Sequence, residues 1–86
     1  MEAYDVIKYP LSTEKSIRLM ESENKLVFIV DRKAKKEDVK KSVEILFKAK
    51  VIKVNVLIDK KGRKKAYVKF SDETPAIDIS TQLGLM

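Results

Sequence analysis

Eighty-six residues, 44% hydrophobic and 37% charged, with 19 Lys and Arg against 13 Asp and Glu, describe one small folded domain (residues 1–86) of net charge +6. The chain has no Cys and no His, which excludes a disulfide framework, a thiol nucleophile, imidazole acid–base catalysis and thiolate or imidazole metal sites. No apolar run nears the roughly 18 residues of a membrane span, and Met1-Glu2-Ala3-Tyr4-Asp5 lacks the basic start and apolar stretch of a secretory leader, so a cytoplasmic protein without a membrane partner is expected.

Asp5-Val6-Ile7-Lys8-Tyr9 reads as a short strand stopped by Pro10. Ser12 or Thr13 caps a helix over Glu14–Met20, which the Glu21-Ser22-Glu23-Asn24 group ends. Ile17 and Met20 share a face of it with Thr13 and Ser16. Leu26-Val27-Phe28-Ile29-Val30 is a continuous, β-branched apolar run, the pattern of a central strand covered on both faces. The clearest helix spans about Lys36 to Lys48. Val39, Val43, Leu46 and Phe47 make its apolar stripe, and Glu37 and Asp38 suit the dipole at its first turn. Glu37–Lys41 and Glu44–Lys48 are spaced as supporting pairs. Its N-cap is weak, because Lys35 has no side-chain oxygen.

Val51–Ile58 alternates, with Ile52, Val54, Val56 and Ile58 on one face and Lys53, Asn55 and Leu57 on the other. Asp59-Lys60-Lys61-Gly62 is a turn, with Gly62 free to take positive φ. Lys65–Phe70 alternates again, Ala66, Val68 and Phe70 opposing Lys65, Tyr67 and Lys69, so the two runs form a hairpin. A last short helix starts with Thr74 as cap and Pro75 in its first position. Ile77 and Leu83 lie on its buried side and Gly84 closes it. The order β-α-β-α-β-β-α, containing a hairpin, implies an α+β fold on an antiparallel sheet.

The charge is unevenly placed. Residues 1–30 carry −1, residues 31–70 carry +10 and residues 71–86 carry −3, and sixteen of the nineteen bases are Lys. Lys suits phosphate better than planar reading of base edges, so a polyanion recognised by shape and backbone is the natural partner. Three basic surfaces are candidates, each weighed against an ordinary solvated surface. The turn places Lys60, Lys61, Arg63, Lys64 and Lys65 around Gly62. The approach to the long helix carries Arg32, Lys33, Lys35 and Lys36, then Lys40 and Lys41. The polar hairpin face gathers Lys53, Asn55, Lys65, Tyr67 and Lys69, where Tyr67 either stacks on a base or lies under a helix. Lys8 and Lys15 add bases from the N-terminal third. Enzyme signatures are missing. Gly62 and Gly84 are the only glycines, so there is no phosphate-cradling loop, and Glu37 and Asp38 serve the helix rather than a reaction. No cofactor is implied.

Pro10-Leu11-Ser12-Thr13-Glu14-Lys15-Ser16 resembles a Pro-x-x-Thr-Glu-Lys family signature. In order after it come Asn24-Lys25-Leu26-Val27-Phe28-Ile29-Val30-Asp31, Ala34-x-Lys36, Val51-x-Lys53-Val54-Asn55 and Lys64-Lys65-Ala66-Tyr67-Val68-Lys69. The set resembles the large-subunit ribosomal protein 23 family in its short archaeal form, from about residue 4 to residue 85. That resemblance implies a four-stranded antiparallel sheet between helices and a structural role in the large ribosomal subunit. It further implies contact with large-subunit rRNA at the rim of the peptide exit tunnel, as one copy beside neighbouring ribosomal proteins. It also implies a docking platform for nascent-chain factors such as the signal recognition particle, at Ser12, Thr13 and the exposed Glu14 of the signature. A second contact acid of bacterial members falls on Lys48, which argues against a bacterial-type chaperone contact. The long bacterial hairpin is absent, since only Asp59–Arg63 joins the strands, so no reach into the tunnel is expected. The alternative function is a protein-docking module whose basic surface serves solubility alone.

Overall fold

The computed structural model describes residues 3–83. Along the chain run α1 (Ala3–Val6), β1 (Ile7–Pro10), α2 (Glu14–Glu23), β2 (Lys25–Val30), α3 (Lys36–Phe47), β3 (Val51–Ile58), β4 (Lys64–Phe70) and α4 (Ala76–Gln82). The strands form one antiparallel sheet in the order β1-β2-β4-β3. The expected α+β architecture and its order of elements are therefore present, preceded by the single helical turn α1.

Leu26 to Val30 are all buried, as a central strand with both faces covered requires. Leu26, Phe28 and Val30 point to the main core with Ala66, Val68, Phe70, Val51 and Val54 of the neighbouring strands. Val39 and Val43 of α3, Met20 of α2 and Ala76 and Ile79 of α4 close over them. Phe28 and Phe70 have almost no exposed surface, and burying each contributes roughly 2–3 kcal/mol. Phe28 also stacks on Phe47, ring centroids 5.9 Å apart. Val27 and Ile29 face the other way. There α2 lies along β2, and Ser16 and Leu19 share a hollow with Val27 and Tyr67.

Several local expectations are corrected. Asp5 and Val6 belong to α1 rather than to a strand, and Val6 is buried in the core. Pro10 is the last residue of β1 rather than its stop, because an edge strand tolerates a missing N–H. α2 continues to Glu23, where Asn24 takes the left-handed conformation (φ 56°) and donates its N–H to the Leu19 carbonyl. In β3 the register shifts between Val51 and Lys53. This bulge puts Val51 in the core and leaves Ile52 59% exposed, off the face of Val54 and Val56. Ile58, at the strand end, is also exposed. The pairs Glu37–Lys41 and Glu44–Lys48 do not close among the described residues.

The caps follow the same pattern of local promise and distant completion. Lys35 provides no side-chain cap for α3; instead the Asp38 carboxylate accepts its N–H at 3.0 Å. α3 ends at Phe47, with Lys48 left-handed (φ 51°) as C-cap. Pro75, not Thr74, is the N-cap of α4. The Thr74 hydroxyl accepts from the Lys50 N–H, and the free Ala76 N–H is taken by Asn24 Oδ1 at 2.6 Å. Asn24 Nδ2 donates to the carbonyls of Phe70, Ser71 and Thr74. One side chain thus joins the end of α2 to the start of α4. Ile79 (2% exposed), with Ala76 and Ser80, rather than Ile77 (47%) forms the buried side of α4, and Leu83 is half-buried against the core. Gly84 lies outside the described residues.

Candidate nucleic-acid interface

The turn between β3 and β4 is held from inside. Gly62 has φ +80°, a value L side chains rarely adopt. The Asp59 carboxylate accepts from the N–H groups of Lys61 and Arg63, both at 2.9 Å, and from Arg63 Nε at 3.0 Å. Burial pushes the Asp59 carboxyl up. The N–H and guanidinium of Arg63, its charge, and the N–H of Lys61 outweigh that and hold its pKa below the ordinary 3.8. Lys60 and Lys61 are left exposed at the tip, with no ion pair among the described residues. Lys65 approaches Asp59 only to 4.0 Å.

The hairpin register brings the polar face together as the sequence suggested. Asn55 stands opposite Tyr67, and Lys53 opposite Lys69. The row extends further than expected, because Lys25 of β2 pairs with Lys69 from the other side. Three lysines therefore stand abreast on three strands. Directly opposed like charges cost stability. Glu23 reaches Lys25 at 3.3 Å, but Lys53 and Lys69 have no acid partner among the described residues. Tyr67 is half-buried, and α2 brings Leu19 and Lys15 beside it. Tyr67 is thus bordered by a helix and still partly exposed.

The remaining bases separate into groups. Lys33, Lys35, Lys36 and Lys40, with Arg32 and Lys41, are exposed along the loop and first turns of α3. Since α3 packs on the Phe28 side of the sheet, the helical bases among them do not join the Tyr67 face. Lys64 turns inward, its Nζ donating to the carbonyls of Ala34 and, at 3.5 Å, Arg32. It clamps the loop before α3 rather than presenting charge. Lys8 is exposed at the register shift of β1. Glu14 is exposed in the first turn of α2 and paired with Arg18 at 3.0 Å. Thr13 is the N-cap; its hydroxyl accepts from the Ser16 N–H at 3.2 Å, while Ser16 Oγ accepts from the Thr13 N–H at 2.8 Å. Ser12 is exposed beside them, and Lys48 stands on a different element, at the end of α3. Sequence reasoning missed Lys25 because its partner strand is not sequence-adjacent.

Among the described residues no group of three or more acids could hold a metal ion, and no helix is long and apolar enough to cross a membrane. A folded surface of this kind is compatible with many binding proteins, and comparison with known families decides among them. The family model described as "Ribosomal protein L23" matches residues 5–77. The chain belongs to the L23 family of ribosomal proteins. Similar proteins agree along nearly the whole length. "Large ribosomal subunit protein uL23" of Methanococcus vannielii and that of Methanococcus aeolicus are each 51% identical to it over 85 residues, 99% of both chains. The protein of the same description from Methanococcus maripaludis is 47% identical over the same span. As an L23-family member the chain is a structural protein of the large ribosomal subunit, not an enzyme, and works in the cytoplasm on the ribosome. The resemblance drawn from the signature segments is thereby confirmed for the whole described domain.

Proposed function

We propose that the chain binds large-subunit rRNA at the rim of the peptide exit tunnel, as one copy beside neighbouring ribosomal proteins. In this reading the Lys53–Lys69 row, Asn55, Tyr67 and the Lys60–Lys61 tip face the RNA. The observation that carries the RNA contact is the unpaired Lys53–Lys69 opposition beside a reachable tyrosine. In the free protein that opposition is a cost, and phosphate removes it. Family membership supports the tunnel rim. The bases of the α3 approach, Lys33, Lys35, Lys36 and Lys40, and Lys8 and Lys15, are secondary contacts. The test is binding to purified large-subunit rRNA across a salt series, with small-subunit rRNA as competitor. Reversing Lys53, Lys69, Lys60 and Lys61 to Glu should weaken binding and flatten its salt dependence, each lost phosphate contact reducing the slope by about 0.9. Unchanged affinity and slope would remove these residues from the interface. Lys64 is left intact, because its reversal would break the loop clamp and confuse folding with binding.

A second contact is favoured by one feature: Glu14 projects from a well-capped helix start, with Arg18 its only ion-pair partner among the described residues. Together with Ser12 and Thr13 it offers a small patch of one carboxylate and two hydroxyl side chains. That patch would dock nascent-chain factors such as the signal recognition particle, with Lys48 as a separate basic contact. Glu14→Lys should then abolish recruitment to ribosomes carrying the variant while rRNA binding stays intact.

A further inference from the structure

One hollow brings together residues of two of the three surfaces recognisable in the sequence, Arg63 and Lys64 of the turn and Arg32 of the α3 approach, with Lys8 and Tyr9 of β1. It lies at the end of the sheet where β1, the loop after β2 and the β3–β4 turn meet, and Lys8, Tyr9, Ile29, Arg32, Arg63 and Lys64 line it. We propose that this hollow holds a single unpaired nucleotide of the bound RNA, its base against Tyr9 and its phosphate between Lys8, Arg32 and Arg63. The proposal rests on the rRNA-binding reading and gives it a defined recognition element.

Three features support it. The first is shape and lining. The hollow measures about 310 Å³, at the small end of ligand-holding clefts. It is lined by the buried Ile29 and by Tyr9, which stands directly across from Ile29 on β1 and is 45% exposed. An exposed aromatic side chain beside an apolar one is what an unstacked base needs, whereas a duplex backbone needs neither.

The second is charge. Two unpaired cations, Lys8 and Arg32, meet the Asp59-paired Arg63 here, from three separate segments, while Lys64 is taken up by loop carbonyls. Asp59 is the acid nearest the turn, and it is spent on Arg63 and on turn N–H groups. Asp31, in the loop, is occupied by the Lys33 N–H. Lys8 and Arg32 have no ion-pair partner among the described residues, so an anion is the missing complement.

The third is preorganisation. Arg63 Nε is held by Asp59 at 3.0 Å, and its Nη1 points to the Tyr9 hydroxyl at 3.5 Å. The guanidinium is thus fixed before any ligand arrives. The Lys64 ammonium fixes the Arg32 and Ala34 carbonyls, which sets the loop beside the hollow. The register shift between Ile7 and Tyr9 lets Ile7 pair with Val30 while Tyr9 faces Ile29. Bulges of this kind re-aim side chains at binding sites. None of this ordering is needed for a merely solvated end of a sheet.

The experiment uses the full chain and purified large-subunit rRNA. Three variants are compared with the unaltered protein in a salt series: Tyr9→Ala, Tyr9→Phe and Arg32→Ala. Complexes are also irradiated with ultraviolet light, and nucleotide adducts are mapped by peptide mass spectrometry. Tyr9→Ala should lose on the order of ten-fold in affinity, the scale of one stacked base, without changing the salt slope. Tyr9→Phe should retain most of the binding. Arg32→Ala should reduce the slope by about 1. An adduct should appear on the peptide containing Tyr9. Thermal melts of each free variant separate lost binding from lost fold, and Tyr9→Phe guards the conclusion if the alanine variant unfolds. If Tyr9→Ala binds as the parent does, or adducts form elsewhere but never at Tyr9, the nucleotide site is overturned while rRNA binding stands. If the unaltered chain shows no preference for large-subunit rRNA, both fall together.

Discussion

At the scale of single residues, Asp59 carries most of the organisation of the basic tip. Its carboxylate side chain is only 12% exposed and gathers three donors within a five-residue turn. Without it, Lys60, Lys61 and Arg63 would be a run of like charges on a turn closed only by the backbone bonds between Asp59 and Gly62 and Arg63. The folded pKa of Asp59 lies below its unperturbed 3.8. A carboxyl shifted downward gives its stability fully above the unfolded value and loses it as pH falls through the folded value. Acid below about pH 4 should therefore loosen the turn. Thermal melts of the unaltered chain and Asp59→Asn should differ near neutral pH, and the gap should shrink as pH drops from about 5 to about 3. A gap that stays constant with pH would mean that the ionised carboxylate contributes nothing.

At the scale of elements, the helix ends show where the chain has unused stability. α3 ends on Lys48 in the left-handed conformation, at φ 51°. Glycine takes that conformation without a Cβ penalty, so Lys48→Gly should raise stability by about 1 kcal/mol. For a domain of this size that is a melting shift of roughly 4–8 °C. Lys48→Ala, which keeps the Cβ, should not gain it, and equal melting of the two variants would contradict the argument. The same elements mark what could be read from the chain alone. The stripe of α3 and the alternation of β4 were legible because each obeys one period from end to end, and Leu26–Val30 because it is apolar and β-branched throughout. The bulge at Ile52 was not, since an alternating run gives no sign of where its partner strand skips a residue. The start of α4 was misplaced by one position. Thr74-Pro75 has the composition of a cap followed by a first turn, yet the oxygen that receives the Ala76 N–H belongs to Asn24, more than fifty residues earlier. Ile77 and Ile79 exchanged roles for the same reason, because the docking angle of a short helix is set by what it meets.

At the scale of the whole molecule, the sequence revealed how much positive charge the middle segment carries and little of how it is shared out. Register places Lys25, Lys69 and Lys53 abreast, folds Lys64 inward as a clamp, and joins Tyr9 and Arg32 to Arg63 across three segments. These relations depend on strand order, which no local pattern encodes. Their sum has a consequence for the free protein. At net charge +6, with bases opposed across strands, self-repulsion should destabilise the compact state. Screening should relieve it. The Debye length falls from about 30 Å at 0.01 M salt to about 8 Å at 0.15 M, short against the 28 × 26 × 21 Å extents of the molecule, so the longer-range part of the repulsion is screened. The melting temperature of the free chain should therefore rise with sodium chloride over that interval and then level off. Lys60→Glu/Lys61→Glu provides the control. Each reversal removes two positive charges, which takes the net charge from +6 to +2, and the rise should be correspondingly smaller. A melting temperature that instead falls with salt in both proteins would mean that the ion pairs around Asp59, Lys25 and Lys50 outweigh the repulsion. The basic surface would then impose no cost on the free protein, and RNA binding would relieve none.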